Sequence, residues 1–299
     1  EVTKCVDWMK VDPPDVIHLT NSMLAGLAPA FKAALNVPIV CSLQGEDYFL
    51  EHLPAPYSDR AFVRLREKSR EIDAFISPSH DHAISMAAHL GIEANEIHVI
   101  LPGLLLEGLH PGPLNDRKEC RIGYMARISP EKGLDLLADA FLKVRRRCID
   151  TLPRLRLLAA GWLGNEHKPY LEKIRRKITD AGFGIDFEYL GEISRAEKIH
   201  FLGSLDVLSV PVLYPAPKGL YALEAMACGT PVIQPNLGIF PELISSTQGG
   251  LLHSPGDIND LASKLEWLLN NREEAMTLGQ QGRKAVFENF HSRRVAARQ

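Results

Sequence analysis

Residues 121–137 read RIGYMARISPEKGLDLL. Arg121–Met125 is a short apolar run, the next eight residues carry Arg127, Ser129, Pro130, Lys132 and Gly133, and apolar residues then return at helical spacing. A strand, a polar turn and a helix in that order form one βα unit, the repeating element of parallel sheets. The same alternation recurs on both sides. It predicts strands at Val16–Leu19, Ile39–Leu43, Ala74–Pro78, Ile97–Leu101, Arg154–Ala160, Phe187–Leu190, Val207–Val210 and Pro231–Gln234. Ligands of open α/β sheets sit at the carboxyl ends of strands, so the chemistry is sought in the loops that follow them.

The periodicity breaks between Pro102 and Lys118, where Pro102, Gly103, Pro111, Gly112 and Pro113 crowd together before the strand at Arg121. A boundary there divides the 299 residues into domains 1–112 and 113–299, each within the usual size range. The first half holds about four expected strands and no glycine-rich first turn, and the chain opens on Glu1, so it is expected to lack its opening strands. The second half ends in a helix expected after Asp257, its cap, with Ile258, Leu261, Ala262, Leu265, Leu268 and Leu269 on the core face.

Composition narrows the function classes. With 45% hydrophobic and 24% charged residues the chain has the make-up of a globular protein, and no apolar run approaches the length of a membrane span. A net charge of -3 argues against a dedicated nucleic-acid binder. The five cysteines are widely spaced and show no ligand pattern, which with the absence of a leader-like segment predicts a reducing, cytoplasmic setting.

Three clusters could carry chemistry. In residues 216–231, APKGLYALEAMACGTP, a loop leads into a helix starting near Leu220 with Glu224 in its first turns. Free amides at a helix start favour phosphate, and a carboxylate one turn in can accept hydrogen bonds from vicinal hydroxyls. A solvated helix carboxylate is the plainer reading. Arg127 and Lys132 leave a strand five residues apart and can straddle a diphosphate, although such cations are more often surface residues. Gln44, Gly45, Glu46 and Asp47 gather at another strand end, where they could face a cleft or cap the next helix.

No His or Cys spacing suits a metal, no Asp-x-Asp pair offers to hold a divalent ion on phosphates, and no P-loop or nucleophile elbow appears. The expectation is a metal-free, cofactor-free site. Basic runs at Arg145–Arg147 and Arg175–Lys177 read first as solvated helix faces, with peripheral contact to an anionic membrane as the second reading.

Taken in order, the clusters resemble the family 4 (group 1) glycosyltransferases. The second half carries most of the likeness, in GYMARISPEKGLDLL, AAGWLG, YLGEISRAE, GLYALEAMACGTPVI and GIFPELI; the first half adds DVIHLTNSMLAG, VPIVCSLQGEDYF and FISPSH. The resemblance implies a GT-B fold, two Rossmann-like domains with parallel sheets facing across a cleft, the first incomplete. It makes Arg127 and Lys132 the diphosphate-binding, catalytic pair, and Glu224 the second glutamate of the Glu-x7-Glu motif, on the donor ribose. Backbone around Lys218, Gly219 and Leu220 would meet the donor's sugar and phosphates, with Gly161 in the neighbouring turn and Gly191 to Ile193 near the nucleobase. Gln44, Gly45, Glu46 and Asp47 fall on the cleft, or acceptor, side. The first glutamate of the motif falls at Ala216 and the family's strand-end histidine at Gln44, which can donate and accept hydrogen bonds but is neither acid nor base.

The implied activity is retaining transfer of a sugar from a nucleotide diphosphate sugar (UDP, GDP or ADP form) to a hydroxyl of a glycan, lipid or small molecule. Catalysis would rest on positioning and on stabilising charge at the leaving diphosphate. A degenerate nucleotide-sugar-binding protein is the non-enzyme alternative, motivated by Ala216, Gln44 and the front expected to be absent. An epimerase or phosphorylase on the same fold is the rival enzyme class. The sequence carries signatures of neither.

Overall fold

The computed structural model describes residues 1–112, 119–148 and 154–297. Contacts divide it into two compact units, one of Glu1–Pro102 with Ala216–Lys218, the other of Gly103–Pro215 with Gly219–Ala297.

The first unit holds a parallel sheet of β1 (Ile17–Leu19), β2 (Ile39–Ser42), β3 (Ala74–Ser77) and β4 (Ile97–Val99), in spatial order β1-β2-β3-β4. Registers such as Cys41 against Phe75 and Phe75 against Ile97 line apolar side chains along one face. Ile39, Cys41, Leu43, Phe31, Phe75 and Met86 are buried there. The helices that cover the sheet are punctuated by their own sequence. Helix Ala28–Leu35 begins on Ala28-Pro29 and stops at Asn36, which takes the left-handed conformation at φ 52. Helix His80–Leu90 starts where Ser79 Oγ accepts from the His82 amide at 3.1 Å, and it ends at Gly91, with φ 72.

The second unit holds β5 (Glu119–Met125), β6 (Arg154–Ala160), β7 (Phe187–Tyr189), β8 (Val207–Ser209), β9 (Val232–Pro235) and β10 (Gly250–His253), all parallel, in spatial order β10-β9-β8-β5-β6-β7. Helix Leu134–Arg147 buries Leu134, Leu137, Ala138, Phe141, Leu142 and Val144 on one face. Helix Ile258–Asn270 buries five of its six expected core residues, with Ile258 half-buried, and Asp257 caps it by accepting from Asn259 and Asp260 amides at 2.8 and 3.1 Å.

All nine expected strands are present, most shifted by one or two residues at an end. The tenth, β10, lies outside the apolar pattern because it follows Gly249, opens on Gly250 and has only Leu251 and Leu252 before His253-Ser254-Pro255. Close backbone approach explains Gly250, where a Cβ would lie 2.1 Å from the Val232 carbonyl oxygen. The units part at Pro102, ten residues before the boundary at 112/113 that the punctuation suggests. Leu104 pairs with the second unit, its amide donating to Phe290 O at 2.7 Å and its carbonyl accepting from the Ser292 amide at 2.9 Å. Residues 113–118, the rest of the expected linker, lie outside the described residues.

Candidate functional site

In the six-stranded sheet the chain proceeds from β5 through β6 to β7 on one side, then returns to build β8, β9 and β10 on the other. The order reverses between β5 and β8, and the loops leaving two strands that diverge in this way open a crevice at their carboxyl ends. Arg127 and Lys132 stand on the first of those loops, Tyr214 and Gly219 on the second.

The β5 loop is held by backbone contacts that side chains would prevent. A Cβ on Gly133, at φ 72, would meet Pro211 O at 2.1 Å, and one on Gly161, at φ 139, would meet Ala126 O at 1.9 Å. Gly161 also donates its amide to Gly191 O at 2.8 Å and accepts Tyr189 Oη at 2.7 Å, so the loops after β5, β6 and β7 form one packed rim. Tyr124, wholly buried beneath the rim, donates its hydroxyl to Arg127 O at 2.9 Å. Ile193 is half-buried at the far end of it.

The two cations differ in setting. The Arg127 guanidinium is largely in solvent, 3.4 Å from Glu131 Oε1, which also accepts from Ser129 Oγ at 2.6 Å. Lys132 is folded inward, its ammonium hydrogen-bonded to the Tyr214 hydroxyl and 4.7 Å from that ring's centre. Burial, reinforced by the Arg127 charge and opposed by Glu131, pushes its pKa down to about 8. A lysine held at this cost against a neutral phenol carries positive charge that a bound anion would stabilise.

Helix Leu220–Ala227 starts from Gly219, whose φ of 58 admits the turn; a Cβ there would lie 2.9 Å from Leu243 Cδ1 and 3.0 Å from Phe240 Cε1. Among the described residues no side chain caps its first amides. Glu224, one turn in, makes an ion pair the sequence does not advertise, with Lys198 Nζ 2.5 Å from Oε1. Lys198 belongs to helix Arg195–Gly203, one turn ahead of the buried Phe201 and Leu202. Ala216–Lys218 group by contact with the first unit, and burial lowers the Lys218 pKa while the Glu46 charge opposes it.

In the first unit the residues at the end of β2 divide. Gln44 is exposed. Glu46 is buried, and its carboxylate accepts from the Ser22 amide at 2.7 Å, from Ser22 Oγ, and from the Gln44 amide at 2.5 Å. These bonds pin the loops after β1 and β2 together, which is a scaffold's use of a carboxylate. Asp47 faces helix His80–Leu90, accepting from Ser85 Oγ at 3.1 Å and lying 3.6 Å from His82 Nδ1. His82 also accepts the Gly45 amide at 3.2 Å, and burial holds its pKa down despite Asp47.

Among the described residues no group of three or more His, Cys, Asp or Glu could hold a metal ion, and no helix is long and apolar enough to cross a membrane. The basic runs meet carboxylates: Arg145 with Asp186 at 3.5 Å, Arg147 with Glu266 at 3.3 Å, Arg175 with Glu172 at 3.4 Å, and Lys177 with Asp139.

Comparison with known proteins places these features. Residues 109–285 match the family model described as glycosyl transferases group 1, and residues 2–107 match glycosyltransferase family 4. The sulfoquinovosyl transferase SQD2 of Arabidopsis thaliana is 27% identical over 293 residues, 90% of this chain and 52% of that protein. A GDP-mannose-dependent alpha-(1-6)-phosphatidylinositol monomannoside mannosyltransferase of Mycobacterium tuberculosis is 26% identical over 290 residues, 92% of this chain and 71% of that protein. The chain thus spans between half and three quarters of the length of these two relatives. Among solved structures, Anabaena HepE in complex with UDP superposes with a TM-score of 0.86 at 20% identity, over 99% of this chain and 80% of that one. Sucrose-phosphate synthase from Thermosynechococcus elongatus gives 0.84 at 22% identity, over 99% and 75%. The two parallel sheets are those of the GT-B fold.

Proposed function

The chain belongs to the group 1 glycosyltransferases, and from that premise we propose that it transfers a sugar, with retention at the anomeric carbon, from a nucleoside diphosphate sugar to a hydroxyl acceptor. The observation that carries the reading is the half-buried Lys132 ammonium, its pKa pushed down, beside Arg127 at the point where strand order reverses. The bond from the anomeric carbon to the outer phosphate oxygen breaks, and negative charge gathers on the diphosphate. Arg127 meets it as a planar fork, Lys132 as a point charge, and the open amides of helix Leu220–Ala227 as oriented dipoles. These groups are already in place, so little reorganisation accompanies the charge as it forms. The acceptor oxygen then bonds to the same face of the carbon, and its proton leaves to the diphosphate or solvent. Glu224 holds the donor ribose, with Gly191 to Ile193 beside the base; Gly161, Lys218, Gly219 and Leu220 shape the phosphate and sugar pocket, and Gln44 lies on the acceptor side.

A nucleotide donor accords with a relative named as GDP-mannose-dependent and with a structural neighbour solved with UDP. The test is calorimetric titration with UDP, GDP and ADP, with and without magnesium, of the wild type, Arg127→Ala and Glu224→Ala. Metal-independent binding of one nucleotide, weakened in both variants, is the expected result. Equal binding by wild type and both variants, or binding only in the presence of magnesium, would sink the assignment.

A further inference from the structure

Glu224 is singled out as the ribose ligand, yet one of its oxygens is already in use. Lys198 Nζ sits 2.5 Å from Oε1, with the lysine side chain a quarter exposed and the glutamate 16% exposed. Among the described residues Oε2 accepts no hydrogen bond, and Lys198 makes no other. An ammonium has three donors, so two remain beside the free carboxylate oxygen. A vicinal diol offers the complementary set: one hydroxyl can donate to Oε2 while the oxygen of its neighbour accepts from the ammonium.

We propose that Lys198 and Glu224 together form the diol-recognition unit of the donor site, Glu224 taking one ribose hydroxyl and Lys198 the other. This rests on the donor-site reading above and adds a residue to it. The two helices bring the pair together across 26 residues of sequence. The pairing also fixes the Glu224 rotamer before the nucleoside arrives, which reduces the ordering cost of binding. A carboxylate alone would accept both hydroxyls through its two oxygens; here the division of labour makes each hydroxyl answer to a different side chain.

That division is what the experiment reads. UDP, GDP and ADP and their 2′-deoxy and 3′-deoxy forms are titrated into wild type, Lys198→Met, Lys198→Arg and Glu224→Gln, with thermal midpoints recorded as a check on folding. Loss of a hydrogen bond to a charged group should weaken binding about tenfold or more. Wild type is expected to lose about that factor with each deoxy form of the nucleotide that binds, by the same reasoning. Lys198→Met should bind the ribonucleotide about tenfold more weakly and no longer distinguish it from one of its deoxy forms, while Lys198→Arg restores the distinction. A Lys198 that merely steadied the helices would lower the thermal midpoint and leave the deoxy ratios alone. Should Lys198→Met discriminate against both deoxy forms as wild type does, the inference falls and the donor site stands. If wild type binds none of the three nucleotides, the donor-site reading falls and takes the inference with it.

Discussion

Replacing Lys132 with methionine should make the unliganded protein more stable at neutral pH while abolishing diphosphate binding. The lysine ordinarily titrates near 10.5 and is pushed to about 8 by burial and the Arg127 charge. Between those values the unfolded chain holds a proton that the folded chain has released, so stability falls as pH drops from 10.5 to 8 and the full cost of the buried charge is present below 8. A shift of this size corresponds to about 3 kcal/mol at 1.36 kcal/mol per unit. Methionine keeps much of the volume, removes the charge and forfeits the Tyr214 hydrogen bond, worth about 1 kcal/mol. The net gain for Lys132→Met is therefore about 2 kcal/mol at pH 7, shrinking above pH 8 and turning into a loss of about 1 kcal/mol near pH 10.5. Urea denaturation followed by tryptophan fluorescence at pH 7, 9 and 10.5 measures it, since Trp162 and Trp267 both lie in the second unit. A variant less stable than wild type at pH 7, or a difference that does not move with pH, would refute the argument that the site stores an uncompensated charge.

The same titration predicts that wild-type affinity for a nucleoside diphosphate declines as pH rises through about 8, where Lys132 loses its proton, and calorimetry at pH 7 and 9 reads it directly. Glu46→Ala leaves the Ser22 and Gln44 donors in a buried loop without an acceptor, at about 1–3 kcal/mol for each orphaned group. A cooperative loss of stability by chemical denaturation is expected, and an unchanged midpoint would show that water replaces the carboxylate. Gly161→Ala drives a Cβ into Ala126 O at φ 139, so diphosphate binding should fall even in molecules that remain folded by circular dichroism. Asp257→Ala removes the cap of helix Ile258–Asn270 and should cost about 1 kcal/mol in denaturant unfolding, with nucleotide affinity unaffected.

The alternating apolar runs were enough to reveal nine strands, because a buried parallel strand must be apolar on both faces and its turn must be polar. They also located Arg127, Lys132 and Glu224 at strand ends and a helix start, since backbone geometry alone brings those positions to the ligand-binding edge of a sheet. β10 escaped because its Gly250 answers to the Val232 backbone beside it, a constraint with no period. Neither could the sequence tell the two kinds of acid at the end of β2 apart: Glu46 points into the protein and is consumed by Ser22 and Gln44, while Asp47 turns to His82 and Ser85. Lys198 is the sharpest case. On its own helix it lies one turn ahead of the buried Phe201 and Leu202, and only the packing of that helix against Leu220–Ala227 sets its ammonium on Glu224. Strand and helix identity follow from interactions between near neighbours and are therefore written in local sequence. Which side chain is buried, what it pairs with and how its charge is felt depend on contacts between distant segments, and those exist only once the chain has folded.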